Sequence, residues 1–503
     1  MNKRVRKECE STVDYILPDY MGDIRKILSA TARALPAGSF FSDGVLEASG
    51  AVEYEVLYTD SDGRLTAINT SSDYSAKASV KDGTYEGAYV DPTVSSVSVR
   101  VTGPRKITLK AGVENDVYLT LGSSCDISEE EESENRECTY VMTKGERYVY
   151  SRAQEREYAE EGERLVGMAG EEIEIISSGA EVVITESLVK DGGVELRGEI
   201  NAYAIIRAPM QPPFRISKTI PFSELIEMDE NIDGVALTPR ARVTSTVVGS
   251  NDDGDDKQLV FNLVCEFSCI GVGCDEKRVI SDLYLTDCEV ENTYKEIECT
   301  SLVTSATSSV EVCSSVNRES LGLVNVGHMI HTSCDVCEIE AKQTETGVQI
   351  SAIAHLSGVA CEINADGSVD YVPVKTSAKI EHNVNKTFQN SQNIRPICKI
   401  KARSADAVIA PEEITLSAVC DVELSLLQTE RTRCLASFEK RDPIKTDSSE
   451  ITVYYPTSAD TLYSVGKRFH ISVAKLIEDN SLTASAAGMT DEGIEAKKLF
   501  IIK

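Results

Sequence analysis

The amino-acid sequence predicts a mainly β protein: tandem β-sandwich-like repeat domains followed by a small α+β module of β-α-α-β order. Three observations predict this. Apolar and polar residues alternate through long stretches of the first 440 positions. In "LVFNLVCEFSCI", Leu259, Phe261, Leu263, Cys265, Phe267 and Cys269 share one face while Asn262, Glu266 and Ser268 share the other, which is the period of a half-buried strand. Hairpin patterns recur at long intervals. The last 50 or so residues switch to helical spacing between two β-type runs.

The first domain spans 10–125. Its "VEYEVLYTDSDGRLTAI" turns at Asp62-Gly63, a dipeptide suited to the positive φ of a tight turn. "VSVRVTG" and "DVYLTL" form a second hairpin, with Val117, Leu119 and Leu121 on one face. Residues 126–159 are read as an acidic linker and connecting segment, because "DISEEEESENRE" cannot bury itself. The second domain spans 160–298. Gly63 and Gly367 lie 304 residues apart (63 to 367), so a middle copy should turn near residue 215; "INAYAIIRAPMQPPFRISKTIPF" does so around Pro212-Pro213. "RARVTSTVVGS" and the strand from Leu259 form its second hairpin. The third and most divergent domain spans 310–438. It turns at Asp366-Gly367, then pairs "ICKIKARS" with "ITLSAVCDVELSLL", where Leu416, Ala418, Cys420, Val422, Leu424 and Leu426 face one way. Self-similarity at this length implies duplicated domains with separate cores.

A polar linker, 439–449, leads to the terminal module, 450–503. Asp460 or Thr461 can cap a helix, since a side-chain oxygen there accepts from free backbone N–H groups. Leu462, Val465 and Phe469 make one apolar stripe; Ser472 can cap a second helix, with Val473, Leu476 and Ile477 as its stripe. "EITVYY" and "KLFIIK" flank them. A unit this small should pack both helices on one face of the paired strands.

The phrases "ITV", "DTLYSVGKRF", "ISVAKLIEDN" and "KKLFII" resemble a LysM module. Many members bind N-acetylglucosamine polymers such as peptidoglycan, in a groove between the loop before the first helix and the loop after the second. The resemblance places a partner- or glycan-binding groove at Asp460, Thr461, Leu462, Tyr463, Asn480, Leu482 and Met489. The chain departs from the family in both loops: Ala459 stands for the usual glycine, and "IEAKK" for the usual Pro-Gly-Gln. Leu and Met in the groove suit a protein partner. "VDYILPDYMGDIRKIL", "ASGAVEYEVLYTDSDGRL" and "IPFSELIEM" resemble the SPOCS domain, found largely in spore-forming Firmicutes. Tandem SPOCS domains with a terminal LysM module are similar to clostridial spore coat morphogenetic proteins. The resemblance implies docking onto another spore coat protein at the forespore surface, on the mother-cell side.

Composition narrows the function classes. A net charge of −31 repels phosphates and anionic lipid, which excludes nucleic acid as a direct partner. Trp is absent and aromatics are 6 %, which argues against a large sugar cleft. No apolar run reaches the ~18 residues of a membrane-spanning helix. The N-terminus has no apolar h-region, so a cytoplasmic location is expected. There the 15 cysteines should be thiols.

"HMIHTSCDVC" spaces His328, His331, Cys334 and Cys337 three apart. Zinc wants four such ligands in a tetrahedron, but on a strand residues three apart face opposite ways, so no metal site is expected. Cys265 and Cys269 read as core residues of a strand. "GVGC" at 271–274 lacks the lysine and helix of a phosphate loop. No nucleophile motif or zinc-protease motif is present, and chance carboxylate pairs are inevitable among 82 acidic residues. The expectation is a non-enzymatic scaffold or adaptor without cofactor or catalytic residues. A peptidoglycan-binding protein is the alternative, and a hydrolase carrying a targeting module the third reading. The scaffold reading expects no deep enclosed cavity around which several ionisable side chains meet.

Overall fold

The computed structural model describes residues 3–80, 85–121, 135–228, 231–385, 394–444, 451–482 and 498–502. The fold is mainly β, with two α-helices among the described residues.

Residues 3–121 form two antiparallel three-stranded sheets. Strands β2 (Ile24–Ser42), β3 (Val45–Asp60) and β4 (Leu65–Ser79) are a meander; β1 (Lys3–Ile16) and β5 (Tyr85–Gly103) flank β6 (Lys106–Leu121). Period-two alternation puts Val52, Tyr54, Val56 and Tyr58 of β3 in one buried cluster with Ile107, Leu109, Ala111 and Val113 of β6. Gly63, at φ 79°, makes the β3–β4 turn as expected.

The same order returns twice. Strands β7 (Arg136–Tyr150) and β8 (Gln154–Leu165) precede the meander β9 (Glu174–Lys190), β10 (Gly193–Arg207) and β11 (Phe214–Glu227), followed by β12 (Ala236–Asp253) and β13 (Asp256–Leu285). Here β8 and β12 flank the first half of β13. The alternating face from Leu259 to Cys269 is buried throughout, against β10 residues such as Leu196, Ile200 and Ala204. Next come β14 (Cys288–Asn317), the meander β15 (Val326–Thr344), β16 (Gly347–Ile363) and β17 (Val369–Asn385), then β18 (Ile394–Ile409) and β19 (Glu413–Pro443). Strands β14 and β18 flank β19, and Gly367 at φ 83° turns β16 into β17. The middle turn differs in chemistry: Met210, not glycine, takes positive φ, at 62°.

The segment boundaries differ from the sequence reading. Residues 136–150 and 154–165 are strands where a connecting segment is expected, β14 runs across the expected 298–310 break, and β19 continues into the expected linker to Pro443. The physical reason is pairing over long distances. The second half of β13 pairs with β7, Ile270↔Tyr150 to Leu285↔Arg136, and the first half of β14 with the end of β19, Cys288↔Pro443 to Cys299↔Glu430. These two ribbons pack together through Ile280, Leu283, Leu285, Cys288 and Leu435. Their outer faces carry charge, which hides them in a single-sequence reading.

The chain closes with β20 (Ile451–Tyr454), α1 (Leu462–Phe469), α2 (Val473–Asp479) and β21 (Leu499–Ile502). Strands β20 and β21 pair antiparallel. Val465 and Leu476 of the helices bury against Leu499 and Ile501 of β21, with Ile471 between them.

Candidate functional site

The terminal β-α-α-β segment holds most of the groove residues inferred from resemblance, and its first turn is built around them. Thr461 is the N-cap of α1: its hydroxyl accepts from Ser464 N at 3.1 Å, while Thr461 N donates to Ser464 Oγ at 2.9 Å, a reciprocal capping box. Asp460 is buried, and one carboxylate oxygen accepts from Thr457 N (2.7 Å), Thr457 Oγ1 (2.9 Å) and Tyr454 Oη (2.9 Å). Those bonds, the Thr457 N–H first, hold its carboxyl below the usual range. Asn480 donates to Leu476 O and Phe500 O and accepts from Phe500 N. Leu462 is buried, and Leu482 is half-buried against the module's core. Met489 lies outside the described residues. Asp460, Thr461 and Asn480 therefore fasten the module internally.

Tyr463 has another task. Its ring packs edge-on against Tyr284 of β13, centroids 5.1 Å apart. Around this pair the module is fixed to the β7–β13 ribbon. Tyr284 Oη donates to Ile471 O at 2.7 Å, Lys467 pairs with Asp282, and Val473 N donates to Glu137 at 3.2 Å. His470, the left-handed C-cap of α1, has Nδ1 3.3 Å from Leu285 O. Gly466 makes this possible, since a Cβ there would meet Tyr284 Oη at 2.3 Å. The sequence reading has the module tethered; the structure has it docked.

With α1 against the ribbon and both helices under one side of β20–β21, the other side of the strands stays open. Ile451, Val453, Phe500 and Ile502 are exposed there, Ile451 to 66 %, and Tyr455 just beyond the strand is exposed to 69 %. Cross-strand pairs Ile451↔Ile502 and Val453↔Phe500 make the patch contiguous. Sequence reasoning missed it. The signal was present: "ITVYY" and "KLFII" are apolar at consecutive positions, the mark of strands apolar on both faces.

A second feature lies between the sheets formed by residues 3–121, 136–285 and 288–443. A half-open cavity of about 1790 Å³ is lined by all of them; it is open to solvent and so is not the deep enclosed cavity that would count against a scaffold. Its floor is a buried charge network. Asp91 of β5 accepts from Arg240 of β12 (3.0 Å) and Lys399 of β18 (2.8 Å); Arg240 also forks onto Glu423 of β19 at 2.7 and 2.9 Å. Asp116 of β6 takes Lys399 at 2.6 Å and Arg6 at 2.9 Å. Burial opposes ionisation of Asp91, but Arg240 and Lys399 outweigh it and hold the carboxyl well below its ordinary value. Each partner is taken up by another, so the network cross-links repeats.

Higher in the cavity the pairing is thinner. Arg403 pairs with Asp421, Arg33 with Glu53 at 2.6 Å, and Arg215 stacks over the Tyr203 ring at 4.4 Å. Glu55 accepts from Ser177 and Tyr203. Glu181 is exposed to solvent on β9; crowding by its neighbours raises its carboxyl, and nearby Lys401 opposes the rise.

The spaced His and Cys residues do not converge. His328 Nε2 lies 2.7 Å from Pro213 O; His331 is buried with neither ring nitrogen bonded, and burial drops it to about 4. Cys334 sits against Cys420, which together with burial raises its thiol. Strand β15 carries register shifts at His328, at His331 and after Cys337, and even these do not gather the four. Among the described residues no three His, Cys, Asp or Glu side chains form a metal cluster. Cys265 and Cys269 are core, pushed up to about 11 and about 12 by burial. No helix among the described residues is long and apolar enough to cross a membrane.

Compared with family models, with curated proteins and with solved structures, the chain matches none.

Proposed function

We propose that this chain is a non-enzymatic scaffold or adaptor of spore envelope assembly, made of three tandem sandwich-like SPOCS repeats and a LysM module, which binds another spore coat morphogenetic protein through that module. It works in the mother cell at the forespore surface. The observation that carries this reading is the exposed apolar face of β20–β21 on a module whose helices are committed to the body of the chain. A soluble fold rarely leaves large contiguous apolar side chains on a solvent face unless something covers them. The charge network supports it from the other side: most ionisable groups around the cavity are engaged with one another, as in a keystone.

Affinity capture from sporulating cells, with the intact chain and with a chain ending at Pro443, tests the proposal. Capture of one coat protein by the intact chain alone is the expected result. Equal capture by both overturns the assignment of the contact to the module.

Peptidoglycan is the second reading, and the exposed rings of Tyr455 and Phe500 favour it, because aromatic faces stack on sugars. Retention of the intact chain, but not the truncated one, on insoluble peptidoglycan would select it.

A further inference from the structure

The terminal strand pair has two edges, and they are not equivalent. Both the N–H and the C=O of Phe500 are bonded to the side-chain amide of Asn480. In an antiparallel pair the two backbone groups of one residue point to the same side. Those of Phe500 therefore point away from β20, and the Asn480 amide occupies the place of a neighbouring strand. That edge is closed. Phe500 faces Val453, and Ile502 faces Ile451. These are the non-hydrogen-bonded pairs of the ladder, so the N–H and C=O of Ile451 and Val453 also point outward, along the free edge of β20. No described residue bonds to them. The same two residues place their side chains on the exposed apolar face.

We propose that the β20 edge accepts an extended segment of a different protein as a third strand, apolar on the side that continues the Ile451, Val453, Phe500 and Ile502 face. This rests on the adaptor reading above and names its contact. An open edge supplies main-chain hydrogen bonds, and alternate side chains supply selectivity. An unprotected apolar edge is otherwise an aggregation hazard that proteins blunt with Lys or Pro, and β20 carries neither.

Charge narrows the occupant. Lys498 lies on the same face, its Nζ 5.1 Å from the Phe500 ring centroid. A third strand lies about 10 Å from β21 at the usual strand spacing, within the joint reach of a lysine and a glutamate. The incoming segment thus carries a carboxylate at its Tyr455 end. A second copy of this chain is disfavoured, since each bears a net charge of −31.

The probe is a blocked synthetic peptide of alternating valine and threonine with one terminal glutamate, added to the intact chain. A matched peptide N-methylated at alternate amides is the control. The expected result is amide exchange slowed at least ~10-fold at Ile451 and Val453, with no slowing by the N-methylated peptide. Val453→Pro removes an outward N–H without breaking the β20–β21 ladder, and Val453→Lys keeps the N–H but spoils the apolar face; each should abolish the protection. Absence of protection, or equal protection by the N-methylated peptide, overturns the proposal. So does dimerisation of the chain alone that Val453→Pro abolishes, because the occupant is then a second copy. In capture from sporulating cells, a partner lost on truncation at Pro443 but retained by both Val453 variants overturns the edge while leaving the adaptor reading intact. A partner retained on truncation overturns the assignment of the contact to the module, on which this edge proposal rests.

Discussion

Gly466 shows how much a single missing side chain decides. In the middle of α1 a glycine costs the helix about 1 kcal/mol relative to alanine, yet here it admits the Tyr284 hydroxyl. Gly466→Ala should therefore separate two effects. The intrinsic helix preference rises, but the added Cβ also meets Ile471 O at 2.8 Å, so the turn after α1 must shift while the docking of the module on β13 fails. Amide exchange checks this: Val473, whose N–H is bonded to Glu137, should lose protection while Val465, bonded within α1 to Thr461 O, keeps it. Thr461→Ala acts in the other direction. It removes a cap worth about 1 kcal/mol, and urea unfolding of the module should shift accordingly. The cap was legible in the sequence as Asp460 or Thr461 before an apolar stripe; Thr461 takes that role and Asp460 ties the preceding turn. The Tyr463–Tyr284 contact was not legible. Its partners are nearly 180 residues apart, and neither ring carries a mark of the other.

At the scale of elements, alternation did most of the work. The buried faces of β6, β13 and β19 fall on the residues that period two selects. The turns were readable where chemistry demanded it, at Gly63 and Gly367. The middle hairpin was placed by spacing alone, and its turn uses Met210 at φ 62° with the side chain fully exposed. Left-handed backbone costs a non-glycine residue about 1 kcal/mol. Met210→Gly should raise stability by about that amount, because no packing is lost; thermal unfolding of the full chain measures it. What alternation could not show is where a strand stops belonging to one repeat. The stretch "GCDEKRV" within β13 carries charge on both faces, Asp275 and Lys277 on one and Glu276 and Arg278 on the other, and only its partner β7 reveals that the strand continues.

At the scale of the whole molecule, charges from β5, β6, β12, β18 and β19 meet at one place. Asp91 bridges Arg240 and Lys399, which no local pattern could connect. Asp91→Asn removes one charge from a buried network, but Arg240 keeps Glu423 and Lys399 keeps Asp116, so the loss of stability should stay below the ~3–5 kcal/mol of a buried ion left without any partner; urea unfolding measures it. The pH dependence follows from the depressed carboxyls of Asp91 and Asp116. Their contribution is fully present above the unfolded carboxylate value of about 3.9 and is lost as pH falls toward their folded values. Acid unfolding below pH ~4 should be blunted in Asp91→Asn. Glu181 has the opposite sign, since crowding raises its carboxyl, but its side chain is exposed and water screens the effect. Glu181→Gln should therefore change the melting temperature little between pH 4 and pH 8. Under the adaptor reading both variants keep partner capture, because the cavity only holds the repeats together.

The most direct measurement follows a fluorescently tagged chain in sporulating cells, intact and ending at Pro443. The account predicts that the intact chain gathers at the forespore surface and the truncated chain, folded and equally abundant, stays dispersed in the mother cell. A truncated chain that still coats the forespore would contradict it.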